Sequence, residues 1–148
     1  MRLGLDLDGT LLIEATPFPL EPSGLLGRLT AVEPLRMGTR ELYREARRRG
    51  IELWVYTSSM RSTATIRLLF AAHGLWLDGV VNDQRHREAE QRARARWPLK
   101  YPPAFGIDLL VDDSTAIEQA GKKHGFRVLR VTPQDENWVQ PVLRELPG

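Results

Sequence analysis

Short apolar runs alternate with stretches of helical character along the chain, and most runs are bounded by glycine or proline. Residues 3–7, 51–56, 79–81, 107–111 and 126–131 are rich in Leu, Val and Ile, and this predicts five strands. The intervening segments 39–49, 61–73 and 115–124 end at Gly50, Gly74 and Gly125, the residue expected just past a helix C-terminus. Strands alternating with helices predict a doubly wound α/β fold, with a mainly parallel sheet covered by helices on both faces. Leu109, Leu110 and Val111 form an unbroken apolar run, as in a strand buried on both sides. Arg127 and Arg130 interrupt the last run, so that strand is expected at an edge.

Three segments depart from this rhythm. Residues 12–35 contain Pro17, Pro19, Pro22 and Pro34, which predicts a long loop or a small hairpin flap. Residues 85–96 have helical propensity, but Ala89 and Ala93 form their only apolar stripe, so weak packing is expected. Trp138, Val139, Val142, Leu143 and Leu146 have helical spacing, and Pro141 should kink that helix or delay its start.

Composition narrows the picture. At 148 residues the chain is the size of one ordinary domain, and a single domain over 1–148 is expected. The net charge is only +2, and the arginines around Arg44 and between Arg85 and Lys100 are interleaved with acids such as Glu45, Glu88 and Glu90. Those clusters read as solvated helix faces, so a nucleic-acid partner is not favoured. There is no cysteine, and this excludes disulfides, thiolate nucleophiles and zinc ribbons. No apolar run approaches the ~18 residues of a membrane span, so no membrane partner is expected. Met1 leads directly into the first predicted strand without a leader pattern, so a cytoplasmic location is expected.

The chemistry lies where the predicted strands end. In a parallel sheet those ends share one edge, and ligands of open α/β folds bind there. Asp6 and Asp8 follow the first strand, Thr57, Ser58 and Ser59 the second, and Asp112 and Asp113 the fourth. At least three carboxylates therefore converge, and two at 4 Å repel by about 4 kcal/mol at an effective dielectric near 20. A divalent cation relieves this. Carboxylates without histidine or cysteine favour a hard ion that keeps several waters, Mg²⁺ rather than zinc.

DLDGT at residues 6–10, YTSS at 56–59, Lys100 and VDDS at 111–114 together resemble the four motifs of the haloacid dehalogenase-like (HAD) superfamily. The resemblance spans nearly the whole chain. It implies a Rossmann-like hydrolase domain that uses Mg²⁺ and passes phosphoryl groups through an aspartyl-phosphate. It implies Asp6 as nucleophile and Asp8 as general acid/base, with the Asp8 backbone carbonyl as a further metal ligand. Thr57 and Ser58 would hold phosphate oxygens, Lys100 would orient the nucleophile, and Asp112 and Asp113 would complete the metal site, which of them ligates directly being left open. Gly9 would allow a tight turn whose amide groups face the phosphate. An aspartate two residues after the nucleophile resembles the phosphatases and phosphomutases of that superfamily, so the expected substrate is a phosphate monoester, small or macromolecular. Neither gap between motifs has room for a cap domain, so a small cap-less phosphatase with an open site is expected.

Lys100 lies close to the fourth strand, and residues 100–107 are expected to run extended between them; Arg85, His86 or Arg87 are the alternative sources of the site cation. Two rivals accompany the phosphatase reading. One is a phospho-accepting signalling module, although strand three here ends in Asn82 and Asp83 and not in the acceptor aspartate such a module needs. The other is a catalytically silent binding protein that keeps the HAD fold.

Overall fold

The computed structural model of the protein describes residues 1–22 and 32–148. Strands β1 (Arg2–Leu5), β2 (Glu52–Tyr56), β3 (Gly79–Val81), β4 (Leu109–Asp112) and β5 (Val128–Arg130) form one sheet in the order β3-β2-β1-β4-β5. Every pairing is parallel, with Leu3 of β1 opposite Leu53 on one side and Leu109 on the other. The five expected strands are present, and β5 lies at an edge as its arginines indicate.

Side chains on successive strand residues point to opposite faces. Leu3, Leu5, Leu53, Val55, Leu109 and Val111 accordingly share one core layer with helices α1 (Thr39–Arg48), α2 (Thr63–Ala72) and α5 (Val139–Glu145). Tyr56, Val81 and Leu110 face the other layer, together with Ile117 of α4 (Thr115–His124). Burial on both faces explains why β4 reads as a continuous apolar run. On β2, Trp54 lies flat across Gly79, where an added Cβ would come within 2.2 Å of the indole; the neighbouring strand accepts that ring only because residue 79 has no side chain. Helix α3 (Asp83–Ala93) buries His86 alone, in keeping with its thin apolar stripe.

The helix ends differ from expectation in informative ways. Helix α2 is capped by Ser62, which accepts the Thr65 N–H at 3.0 Å, so the hydroxyls beside β2 are not used as the helix cap. Helix α1 has no cap of its own, and the buried Glu21 carboxylate supplies one from the flap by accepting the N–H groups of Gly38 and Arg40 at 3.0 Å each. Pro141 is the third residue of α5, where its missing N–H has no intrahelical partner to lose, so it delays the helix start without kinking it. The 100–107 link is not fully extended: Pro102–Phe105 form a 3₁₀ turn closed at Gly106.

The predicted flap over residues 12–35 has a hairpin-like base. Leu20 bridges Arg36 in antiparallel fashion, Glu21 N–H donates to Leu35 O at 2.7 Å, and Met37 N–H donates to Pro19 O at 2.8 Å. Its residues 23–31 lie outside the described residues. Arg36 anchors this base from within the core, donating to the carbonyls of Thr132 and Asp135 and stacking between Phe18 and Trp138. No described helix is long and apolar enough to cross a membrane.

Candidate active site

From β1 the chain builds β2 and β3 on one side, then crosses to place β4 and β5 on the other. The direction of winding thus reverses between β1 and β4. In open α/β sheets the crevice at the strand C-termini beside such a reversal is where ligands sit. Asp6 follows the last residue of β1, and Asp112 is the last residue of β4.

After β1 the backbone folds into a compact turn. Leu7 O accepts the N–H groups of both Leu11 and Leu12, and Gly9 N–H donates to Leu12 O. Gly9 has φ +85°, and a Cβ there would lie 2.5 Å from Asp113 Oδ2, so both the backbone conformation and the space require glycine. The turn is thereby pressed against the β4 loop. Thr10 Oγ1 lies 3.3 Å from Asp6 Oδ2 and 3.4 Å from Asp113 Oδ1, linking the two loops.

Lys100 lies between the two strand ends. Its ammonium donates to Asp6 Oδ1 at 2.5 Å and to Asp112 Oδ2 at 2.6 Å, and all three side chains are buried. The other Asp112 oxygen accepts the Ser114 N–H at 2.9 Å. One positive charge is shared between two buried acids. Burial pushes the Asp6 carboxyl up to about 7, with Lys100 opposing and Asp112 reinforcing the rise. Burial alone would pull the Lys100 ammonium down, but the two carboxylates outweigh it and hold it above its ordinary value.

That charge deficit tests whether a divalent cation suits the site. Asp6, Asp112 and Asp113 each offer a carboxylate oxygen, and the three oxygens lie within 4.8 Å of one another. The donors are all hard oxygens, and the site is short of positive charge, so the residues present fit Mg²⁺. The Asp8 side chain is outside this group, which leaves only its backbone carbonyl as the contribution expected of it.

The position of Lys100 is set by its neighbour. Tyr101 N–H donates to the Tyr56 hydroxyl at 2.8 Å, and that hydroxyl lies 2.5 Å from His86 Nδ1. The hydroxyl oxygen accepts from Tyr101 and shares one hydrogen bond with His86 Nδ1, so the Tyr56 ring links the Lys100 segment to α3. Burial lowers the His86 pKa, consistent with a neutral ring. Trp97 packs against both His86 and Tyr101, so the segment carrying Lys100 is gripped on either side. The alternative cations are engaged elsewhere. Arg85 donates to Val80 O and lies over Trp54 and Phe105, His86 serves Tyr56, and Arg87 pairs with Asp83.

A cavity of about 540 Å³ opens at this edge, lined among others by Asp6, Asp8, Thr57, Ser58, Lys100 and Asp112. Glu14 and the exposed Leu99 stand at its side. Buried Thr57 accepts the Ser59 N–H on its Oγ1 at 3.0 Å, which leaves its hydroxyl proton to donate. Ser58 is exposed. A larger cavity of about 850 Å³, beside β5 and α5, contains none of these groups.

Asp8 differs from its neighbours. It is one-third exposed and pairs with Arg61, whose Nη1 donates to Asp8 Oδ1 at 2.7 Å. Arg61, Thr10 and Tyr56 are site residues that the sequence did not single out by role, and His86, expected as an alternative source of the site cation, instead partners the Tyr56 hydroxyl. Thr10 lies within the first motif and could have been suspected there. Arg61 carries no sequence signal, since it acts on a residue far away in the chain.

No protein-family model matches the sequence, and no curated protein matches it significantly. The chain is similar to a HAD-superfamily hydrolase of subfamily IA, variant 1, from Geobacter sulfurreducens PCA, with a TM-score of 0.54 at 13% identity over 96% of this chain and 95% of that one. It is also similar to a predicted HAD-like family hydrolase from Porphyromonas gingivalis, with a TM-score of 0.50 at 13% identity over 99% and 98% of the two chains. The fold is that of HAD-superfamily hydrolases.

Proposed function

We propose that the protein is a hydrolase, specifically a cap-less, Mg²⁺-dependent phosphatase that cleaves a phosphate monoester through an aspartyl-phosphate on Asp6. One observation carries this reading: Lys100 bridges the buried Asp6 and Asp112 at the winding reversal of a HAD-type sheet, with Asp113 alongside. An acid pair held ionisable by a buried ammonium is a nucleophile prepared for a dianionic electrophile.

Asp6, Asp112, Asp113 and the Asp8 carbonyl would hold Mg²⁺, which when bound supplies positive charge against the phosphoryl oxygens and the crowded acids. Lys100 orients the Asp6 carboxylate, and the Thr57 hydroxyl and Ser58 hold phosphoryl oxygens. A carboxylate oxygen of Asp6 forms the new bond to phosphorus as the ester P–O bond breaks. Asp8 gives its proton to the departing alkoxide, then takes one from the water that attacks phosphorus as the Asp6 O–P bond breaks, releasing inorganic phosphate and free Asp6. Such proton transfer contributes typically ~10²–10⁴-fold.

The substrate is a phosphorylated small molecule or a phosphate on a macromolecule, with no membrane partner and no preference for nucleic acid. An open site without a cap domain, on one domain spanning the chain, suits either. The signalling rival is disfavoured by topology: receiver-type sheets have the order 2-1-3-4-5, whereas the order here is 3-2-1-4-5. Asn82, at the end of β3, is also committed to capping α3 by accepting the Arg85 N–H. The test is a screen of purified protein with Mg²⁺ against sugar phosphates, nucleotides, phosphopeptides and phosphorylated DNA ends. Turnover by wild type and none by Asp6→Asn is expected. Turnover that survives in Asp6→Asn would exclude the covalent route, and a stable phosphoryl group without turnover would favour the signalling module.

A further inference from the structure

Arg61 is fixed at both ends of its backbone. Its N–H donates to Ser59 Oγ at 3.1 Å, and its carbonyl accepts from Asn82 Nδ2 at 2.9 Å. Ser59 is in turn held by Thr57, whose Oγ1 accepts its N–H, and by Asp83, whose N–H donates to Ser59 O. The loop after β2 is therefore a chain of side-chain and backbone bonds ending at one guanidinium. That guanidinium forks. Nη1 donates to Asp8 Oδ1 at 2.7 Å, while Nη2 reaches both Glu33 oxygens at 3.4 Å. Glu33 is itself pinned, because its backbone carbonyl lies 2.9 Å from Nε2 of the buried His73.

Arg61 does not line the cavity, whereas Asp8 does. Among the described residues no other side chain donates to the Asp8 carboxylate. With Oδ1 held from behind, Oδ2 is the oxygen left for the leaving group. We propose that Arg61 is a positioning residue that sets the rotamer of Asp8 for proton transfer, with Glu33 tying the flap to the same guanidinium. The inference rests on the phosphatase reading above. A planar fork fixes two carboxylates at once, and a general acid misplaced by an ångström loses much of its effect.

The role predicts a dependence on the leaving group. Nitrophenoxide departs without a proton, whereas phenoxide, about as basic as a tyrosinate, needs one. Kinetics of p-nitrophenyl phosphate and phenyl phosphate with Mg²⁺ should show kcat/KM for phenyl phosphate falling about 10–100-fold in Arg61→Ala, within the range of general acid catalysis. The nitrophenyl ester should lose less than about 3-fold, and inhibition by orthovanadate should be unchanged. Arg61→Lys, which keeps the charge but not the fork, should lie between, and Glu33→Gln should show the same selectivity more weakly. In an Asp8→Asn background, Arg61→Ala should add nothing further.

Equal losses on both esters, weakened vanadate inhibition, or full additivity with Asp8→Asn would overturn the positioning role. Should Arg61→Ala not fold, the selectivity of Arg61→Lys and Glu33→Gln decides, and a loss shared by both esters overturns it. Wild type inert towards both esters, or Asp6→Asn as active as wild type, would remove the phosphatase reading and this inference with it. An active wild type, a dead Asp6→Asn and an unaltered ester ratio in Arg61→Ala would overturn the inference alone.

Discussion

Two cations each bridge two carboxylates at the same edge of the sheet: Lys100 between Asp6 and Asp112, and Arg61 between Asp8 and Glu33. The lysine side chain is 3% exposed and its partners 8% and 1%, whereas the arginine is 31% exposed and its partners 33% and 56%. The arrangement is similar and the dielectric is not. Buried charges interact strongly and cannot be left unpaired, whereas exposed pairs are screened by water and salt. The buried bridge therefore sets the electrostatics of the site, and the exposed one can only set geometry.

The contrast is sharpest for activity. Asp6→Asn should lower turnover by more than about 10³-fold, as loss of the proposed nucleophile would, with the fold intact by circular dichroism. Stability should then separate the two cations. Lys100→Met leaves two buried acids facing each other and should cost about 3–5 kcal/mol in urea denaturation without metal. Arg61→Ala should cost at most about 1 kcal/mol in the same assay. Equal losses would show that burial does not distinguish the bridges.

Proton linkage is a finer probe. With the Asp6 pKa raised to about 7, cation binding at the proposed site should displace a proton near pH 6. Calorimetry of Mg²⁺ binding in buffers of different ionisation enthalpy should show release of about one proton at pH 6, with affinity rising towards pH 7. Asp6→Asn should abolish the release. In stability terms a raised carboxyl pKa means that the metal-free fold weakens as pH rises from near the ordinary value of 3.8 to about 7.

The support beneath Lys100 should give effects below those at Lys100 itself. Tyr56→Phe removes the acceptor for the Tyr101 N–H and the partner of His86, and should destabilise by about 1–3 kcal/mol. His86 has a lowered pKa, so below its ordinary 6.5 the unfolded chain takes up a proton that the folded one resists, and stability falls as pH drops. His86→Gln should flatten that slope below about pH 6.5 in thermal unfolding. An unchanged slope would locate the acid sensitivity elsewhere.

Much of this molecule was legible in order of sequence distance. The β3 and α4 limits coincide with the reading from apolar runs and glycines, and Pro141 delays its helix as a proline in a first turn can. The acids after β1 and β4 were legible as a cluster because parallel strands put their C-termini together. What escaped the reading includes contacts between distant segments, such as Glu21 capping α1 from the flap and Arg61 pairing with Asp8, and one local feature, the 3₁₀ turn at Pro102–Phe105, where an extended link was expected.

The sequence by itself determined the strands, the helices and the acids at the strand ends, because hydrophobic periodicity and the glycines that end helices depend on neighbours within a few residues. Only the tertiary structure decided the strand order 3-2-1-4-5, the placing of Lys100 between Asp6 and Asp112, and the pairing of Arg61 with Asp8. Lys100 stands 94 residues from Asp6, and Arg61 stands 53 from Asp8. Contacts at that separation form only after loop closure brings distant segments together, and which charges then meet depends on how both faces of the sheet pack.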